Sequence, residues 1–408
     1  MELVFLAILF LLMMYALGSG YPVAFALPGS AIVTILLAGL TGLVIEGDSS
    51  AYFIQDGPVE WLTAGVTNFR GIYWEVERDT LIAIPLFIFM GIMLQRSKIA
   101  EDLLVTMAQL FGPIPGGLGI SVVFVGGLLA ATTGIVGATV VAMGLISLPA
   151  MLRNNYSQSL ATGTICASGT LGQIIPPSIV LIILADQLAS AADQAATMRK
   201  DLYKQATGQF SMPSEFNIIS TSAGDMFLGA FLPGITLVAL YMAYILIAAL
   251  IRPKIAPAVP YEGKLLERSF LLKVALALFP PLLLIFLVLG SIIAGIATVN
   301  QAGAIGAIGA MLMAGYKLRE GTRAAFYPAI LTIASLILIW LISSNFNLSV
   351  KTISNNSDWI GLGVATLGVI GLLAGIAWSG WRAYTIEDTL TEVMKETAKT
   401  TSLVFIIL

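Results

Sequence analysis

The chain has no histidine and a single cysteine in 408 residues. The first absence removes the usual imidazole metal ligand and the side chain that carries protons near neutral pH. The second excludes disulfides and cysteine-rich metal sites, because Cys166 stands alone inside an apolar segment. Charge is scarce as well, at 11% of residues, where a soluble globular chain carries about 25%. The net charge is −3 and no basic block occurs, so nothing points to nucleic acid as a partner. What remains is apolar: 58% of residues are hydrophobic, mean hydropathy is +0.94, and several runs reach membrane-spanning length. This is the composition of an all-α polytopic protein embedded in a lipid bilayer.

The N-terminus carries Glu2 where a secretory signal would carry positive charge, so residues 2–18 read as a retained first helix. Further spans are expected at 22–45, 81–95, 158–187, 224–251, 269–290, 293–316, 324–343 and 359–379, and a last apolar run begins near Thr401. Short cytoplasmic loops are rich in Lys and Arg. Arg96/Lys98, Arg153, Arg252/Lys254/Lys264/Arg268, Lys317/Arg319/Arg323 and Arg382/Lys395/Lys399 all fall on one face if the N-terminus is outside. The acidic stretch 46–80 and the insert 188–223 then lie outside as well, the latter in spite of Arg199, Lys200 and Lys204. Within 46–80, "FRGIYWEVERD" interleaves aromatic and charged residues as an interfacial segment does.

Residues 118–150 do not fit one span. A Gly- and Thr-rich centre, "ATTGIVGAT", divides them into two apolar halves, each too short for the bilayer core. Arg96/Lys98 before the segment and Arg153 after it belong inside, so the chain must enter and leave by the same face. A re-entrant helical hairpin satisfies both conditions; two short tilted spans joined by a tight turn would keep the same parity. Residues 99–112 predict an amphipathic helix along the inner interface, and 385–399 resemble them on the same face.

In the segment 158–187, Gly169 and Gly172 precede two adjacent prolines, Pro176 and Pro177. Prolines remove amide donors and clash with the preceding turn, so the helix is expected to break around 172–177. The carbonyls of Gly172, Gln173, Ile174 and Ile175 are then freed, and Ser168, Thr170, Gln173 and Ser178 add polar side chains. Non-helical backbone at this depth survives only against protein or a cavity. An uncharged cage of oxygens suits a small hard cation such as Na⁺. At the hairpin tip Thr132, Thr133 and Thr139 supply hydroxyls, while Gly134 and Gly137 permit open backbone. Plain kinking by the prolines and plain helix packing by the Gly/Thr cluster are the competing readings. Almost no charge lies at membrane depth, Asp186 falling near the outer end of its span, which favours sodium over proton coupling.

Two stretches, "IAIPLFIFMGIMLQRSKIAEDLL" and "GIVGATVVAMGLISLPAMLRNNYSQSLATGTICASGTLGQIIPPSI", resemble the large membrane (M) subunit of tripartite ATP-independent periplasmic (TRAP) transporters. The resemblance covers most of the chain. It implies a secondary transporter of the ion transporter superfamily in the bacterial inner membrane, with two inverted repeats and an elevator mechanism. Such a protein takes organic acids from a soluble periplasmic binding protein, is driven by Na⁺ with no other cofactor, and pairs with a small four-helix membrane subunit. The resemblance places sodium ligands of the first repeat on Thr133 and on the carbonyls of Gly172, Ile175 and Pro177, with Pro176 among the lining residues. Where the family's tip usually has serine and asparagine, this chain has Thr133 and Val136.

On this pattern the first repeat is 1–187 and the linking helix 224–251. The second repeat is 252–408, with a two-helix insertion at about 320–380. "GYPVAFALPGSAIVTILLAG" and "GIATVNQAGAIGAIGAMLMAG" occupy matching second-helix positions in opposite orientation. The family continues through a second hairpin and a second broken helix beyond the point reached at Leu408, so the 408 residues alone are not expected to transport. The alternative reading is an ion channel or ion-motive membrane subunit in which the hairpin and broken helix line a pore; a continuous polar stripe through several spans would favour it, and the sequence has one polar cluster. An enzyme would need a paired acid and base or metal ligands at depth, and neither occurs in the sequence.

Overall fold

The computed structural model describes residues 2–53, 57–63, 79–133, 136–209, 221–259, 267–322, 324–348 and 356–407. These residues are helical with short connections, and they fall into two units: 1–81 with 398–408, and 82–397. Among the described residues six helices are long and apolar enough to cross a membrane, and a bent pair makes a seventh candidate.

In the first unit, α1 (Glu2–Gly18) and α2 (Val23–Ile45) pack together. The chain after α2 folds back along it: a Cβ at Gly42 would lie 2.7 Å from the Asp48 carbonyl oxygen, too close for any side chain. Asp48 closes this turn by accepting hydrogen bonds from Ser50 N (2.9 Å) and Ser50 Oγ (2.7 Å), which hold its carboxyl below the usual value. The expected interfacial segment around 69–78 lies outside the described residues.

The second unit begins within α3 (Asp79–Arg96), which turns by 59° into α4 (Ile99–Phe111). Lys98 makes the turn in the left-handed conformation, φ 63°. The expected amphipathic character of α4 is visible in its burial: Ile99, Ala100, Leu103, Leu104 and Met107 are buried on one side, while Glu101 is exposed. Next come α5 (Gly117–Thr133) and α6 (Val136–Arg153), two apolar helices packed together and joined by residues 134–135.

Helix α5 is the centre of the unit. Its Leu118, Val122, Val125, Leu128 and Leu129 pack with Leu103, Leu104 and Met107 of α4, Met143 and Met151 of α6, and Ala161 and Ile165 further on. Its base is pinned by polar contacts. Ser121, fully buried, donates to the Met107 carbonyl at 2.9 Å, and Leu118 N donates to Tyr156 Oη at 3.2 Å.

Helix α7 (Gln158–Thr170) starts on a Ser157 cap, whose hydroxyl accepts from Leu160 N. A 3₁₀ turn at Leu171–Gln173 follows, and α8 (Ile179–Thr207) begins after the prolines. α8 runs past residue 187, so the expected insert 188–223 opens as helix. The residues beyond 187 ("QLASAADQAATMRKDLYKQAT" from Gln187) are strong helix formers although polar. Asp186 sits within this continuous helix.

Helix α9 (Ala223–Ile251) opens on a capping box between Ser222 and Asp225 and returns to the base of α5. The strand of chain that follows is tied beneath the hairpin. Gly116 N donates to the Ala256 carbonyl, Val259 N to the Gly112 carbonyl, and Ser157 N to the Ile255 carbonyl, at 2.8–3.1 Å. Helices α10 (Arg268–Ile293) and α11 (Val299–Lys317) then pair.

The stretch 320–380 supplies α12 (Tyr327–Asn345) and α13 (Asn356–Thr385), which pack antiparallel along their length. Their register is set by glycine. Gly361, Gly368 and Gly375 of α13 face Phe346, Ile339 and Thr332 at the end of and along α12, a seven-residue repeat on both sides. A Cβ at Gly368 would lie 2.8 Å from Ile339 Cγ1. Arg382, grouped by the sequence with the loop charges, is instead buried in α13 at 2% exposure. Its guanidinium donates to the carbonyls of Ala325 (2.7 Å) and Ala324 (2.8 Å) and lies 5.0 Å from the Trp378 ring centre. The last helix, α14 (Thr389–Ile407), follows a second sharp turn at Glu387 and Asp388, φ 53° and 48°.

Charged side chains join the two sharp turns. Arg96 pairs with Glu396, Lys98 with Glu387 at 2.9 Å, and Lys317 with both Asp102 and Glu320.

A candidate ion site where the hairpin meets the broken helix

The helix interruption sits where the sequence predicts it. α7 loses its α-helical hydrogen bonding after Thr170, and Leu171 O takes both Ile174 N (3.0 Å) and Ile175 N (2.9 Å). The Pro176–Pro177 peptide bond is cis, and regular helix resumes at Ile179. The freed carbonyls do not all remain free. Ser178 Oγ, fully buried, donates to the Gln173 carbonyl at 2.8 Å and so closes the loop on itself. Among the described residues no donor reaches the carbonyls of Gly172, Ile174, Ile175 or Pro177.

The hydroxyls have local partners also. Ser168 Oγ, fully buried, donates to the Ile165 carbonyl at 2.9 Å, and Thr170 Oγ1 donates to the Ala167 carbonyl at 2.8 Å. Each keeps lone pairs with which to accept or ligate. Gly172, Pro176 and Pro177 are buried, Ile175 is half-buried, and Thr170 and Gln173 are exposed.

What holds the break in place is close backbone approach from three helices. A Cβ at Gly126 of α5 would lie 2.6 Å from Ser168 Cβ, and one at Gly169 of α7 would overlap Val140 of α6. From the other side, a Cβ at Gly234 of α9 would lie 3.0 Å from Ile175 Cγ1 and 3.8 Å from the Ile174 carbonyl oxygen. Gly126 and Gly234 carry no signal in a linear reading, because a glycine inside an apolar helix looks the same whether or not another helix presses on it. The start of α6 is thereby brought against the end of α7: Thr139 is buried and Gly137 is exposed with open space beside it. Thr132 and Thr133 end α5, but their side chains, like all of Gly134, lie outside the described residues.

Among the described residues no group of three or more Cys, Asp or Glu side chains could hold a metal ion. The oxygen donors at the break are backbone and hydroxyl, a donor set that suits an alkali cation.

The sequence matches the family described as "Tripartite ATP-independent periplasmic transporter, DctM component" over residues 6–198 and 212–408. It is 33% identical to a C4-dicarboxylate TRAP transporter large permease protein of Pseudomonas aeruginosa over 244 residues, 60% of this chain and 48% of that one. It is 31% identical to the corresponding Vibrio cholerae protein over 293 residues, 71% of this chain and 55% of that one. An ectoine TRAP transporter large permease protein of Halomonas elongata is 30% identical over 69% of this chain and 59% of its own length. The chain thus spans about half the length of the curated relatives it matches. It belongs to the DctM family, the large permease component of TRAP transporters.

Proposed function

We propose that the chain forms part of a sodium-coupled secondary importer for a small organic acid in the bacterial inner membrane. It works with a periplasmic binding protein and a small four-helix membrane subunit, and its N-terminus faces the periplasm. The observation that carries sodium coupling is the break after Thr170. There the carbonyls of Gly172, Ile175 and Pro177 lack donors among the described residues, and the donor set is uncharged. Thr133, at the end of α5, would complete the set from the hairpin. The names of relatives include C4-dicarboxylate and ectoine, and small polar acids or zwitterions of that kind fit a site built from half-helix ends and hydroxyls.

The inverted repeat is supported by geometry as well as by charge. The first repeat passes from α3 to α4 through a left-handed residue, and α13 passes to α14 through two. The elevator reading assigns the hairpin and broken helix to the moving body.

The test is uptake into proteoliposomes holding the full-length protein with its small subunit and binding protein. Imposing an inward Na⁺ gradient is expected to drive accumulation of labelled C4-dicarboxylate or a related acid. Accumulation that follows a proton gradient in the absence of Na⁺ would overturn the coupling assignment.

A further inference from the structure

A cleft opens between α5, α7 and α9, with a volume of about 670 Å³, and only its far end, at Ala167, comes near the break. It runs along α7 from Ser157 to Ala167 and along α9 from Arg252 back to Tyr241, about 15 Å on each helix at 1.5 Å per residue. The two ends differ in chemistry. Ser157 and Arg252 share one end, which is fixed by the hydrogen bonds Ser157 N to the Ile255 carbonyl and Ile255 N to the Arg252 carbonyl. The far end is walled by Val123, Ala167 and the Tyr241 ring.

Among the described residues no acidic side chain lines the cleft. Arg252 is the cation of the lining, and among the described residues it has no ion pair and donates no side-chain hydrogen bond. The Ser157 oxygen is engaged as the α7 cap, and its proton is left to donate. Midway along, Gly163 leaves the floor open: a Cβ there would meet nothing within 4 Å.

We propose that this cleft binds an anionic phospholipid, with Arg252 and Ser157 on the phosphate and an acyl chain laid over Gly163 toward Ala167. Basic pockets between membrane helices take anionic headgroups, and the single cation at the mouth of a long, mostly apolar slot matches an amphiphile better than a small acid. A phosphate held by one guanidinium and one hydroxyl explains the charge; the slot explains why free phosphate would not suffice.

The experiment is native mass spectrometry of the full-length protein released from membranes containing phosphatidylglycerol and phosphatidylcholine. One phosphatidylglycerol is expected to stay bound, about tenfold more often than phosphatidylcholine. Arg252→Gln is expected to abolish the preference. Gly163→Leu, which puts a side chain into the slot from a position where a Cβ meets nothing within 4 Å, is expected to reduce retention with Arg252 intact, so the proposal does not hang on one variant that could misfold. Lys254→Gln, outside the cleft, is expected to keep the preference. Equal loss in Lys254→Gln would mean general attraction to a basic surface and would overturn the proposal. Full retention in Gly163→Leu, or displacement by inorganic phosphate alone, would overturn it too.

Discussion

Ser178 and Arg382 illustrate how single side chains settle backbone that helices leave open. Ser178 Oγ gives the Gln173 carbonyl the donor that the prolines take away. Ser178→Ala is expected to lower stability by about 1 kcal/mol, read as a fall in the unfolding midpoint in detergent. Arg382 does the same for Ala324 and Ala325, which precede α12. Lysine cannot reproduce the planar fork of donors, so Arg382→Lys is expected to cost about 2–3 kcal/mol despite keeping the charge. An Arg382→Lys protein as stable as the parent would show that these bonds contribute nothing net. The sequence could not distinguish the two kinds of arginine. Arg382 and Arg153 both end a helix in a basic-rich stretch, and only the partners buried around Arg382 separate structural cation from topological signal.

Among the elements, the α12–α13 pair gives the sharpest test, because its glycines fall into two classes. Gly368 meets Ile339, whereas Gly363 has nothing within 4 Å. Gly368→Leu is expected to cost about 1–3 kcal/mol by forcing the helices apart. Gly363→Leu is expected to be neutral or to stabilise by up to about 1 kcal/mol through helix propensity. Thermal unfolding of the two variants side by side checks both. The same contrast shows how much of the fold could be read in advance. The break in α7–α8 was legible because proline acts locally, on its own amide and its own preceding turn. The paired halves of 118–150 were legible because length against bilayer thickness is a property of the segment itself. The glycine contacts that seat the break, Gly126 on Ser168 and Gly234 on Ile175, depend on partners far away in sequence. The length of α8 was hidden for another reason: hydropathy sees membrane and not helix, and the polar residues after 187 form helix without being apolar.

At the scale of the whole second unit, the ion pairs at the two sharp turns link residues far apart in sequence, Arg96 and Glu396 by 300 positions. Exposed pairs are individually worth about 0.2–1 kcal/mol, so their value lies in where they connect. Lys98→Glu is expected to lower the unfolding midpoint slightly, and Glu387→Lys added to it is expected to restore the loss. Additive losses in the double variant would show that the pair does not couple. The bond to Glu387 raises the Lys98 pKa above its ordinary value of 10.5. A raised lysine gives its stabilisation in full below the ordinary value and loses it as pH climbs through the folded one. Amide protection around 97–101 and 386–389, taken relative to the base-catalysed intrinsic exchange rate at each pH, is therefore expected to be flat across neutral pH and to fall only in strong alkali.

These tied turns have one mechanical consequence. Each turn is left-handed backbone, at Lys98 in one and at Glu387 and Asp388 in the other. The Lys98–Glu387 pair fastens one turn to the other, and Asp102 fastens α4 to Lys317 at the end of α11. Helix starts that are far apart along the chain are thereby held side by side, like two corners of a frame stitched at one seam.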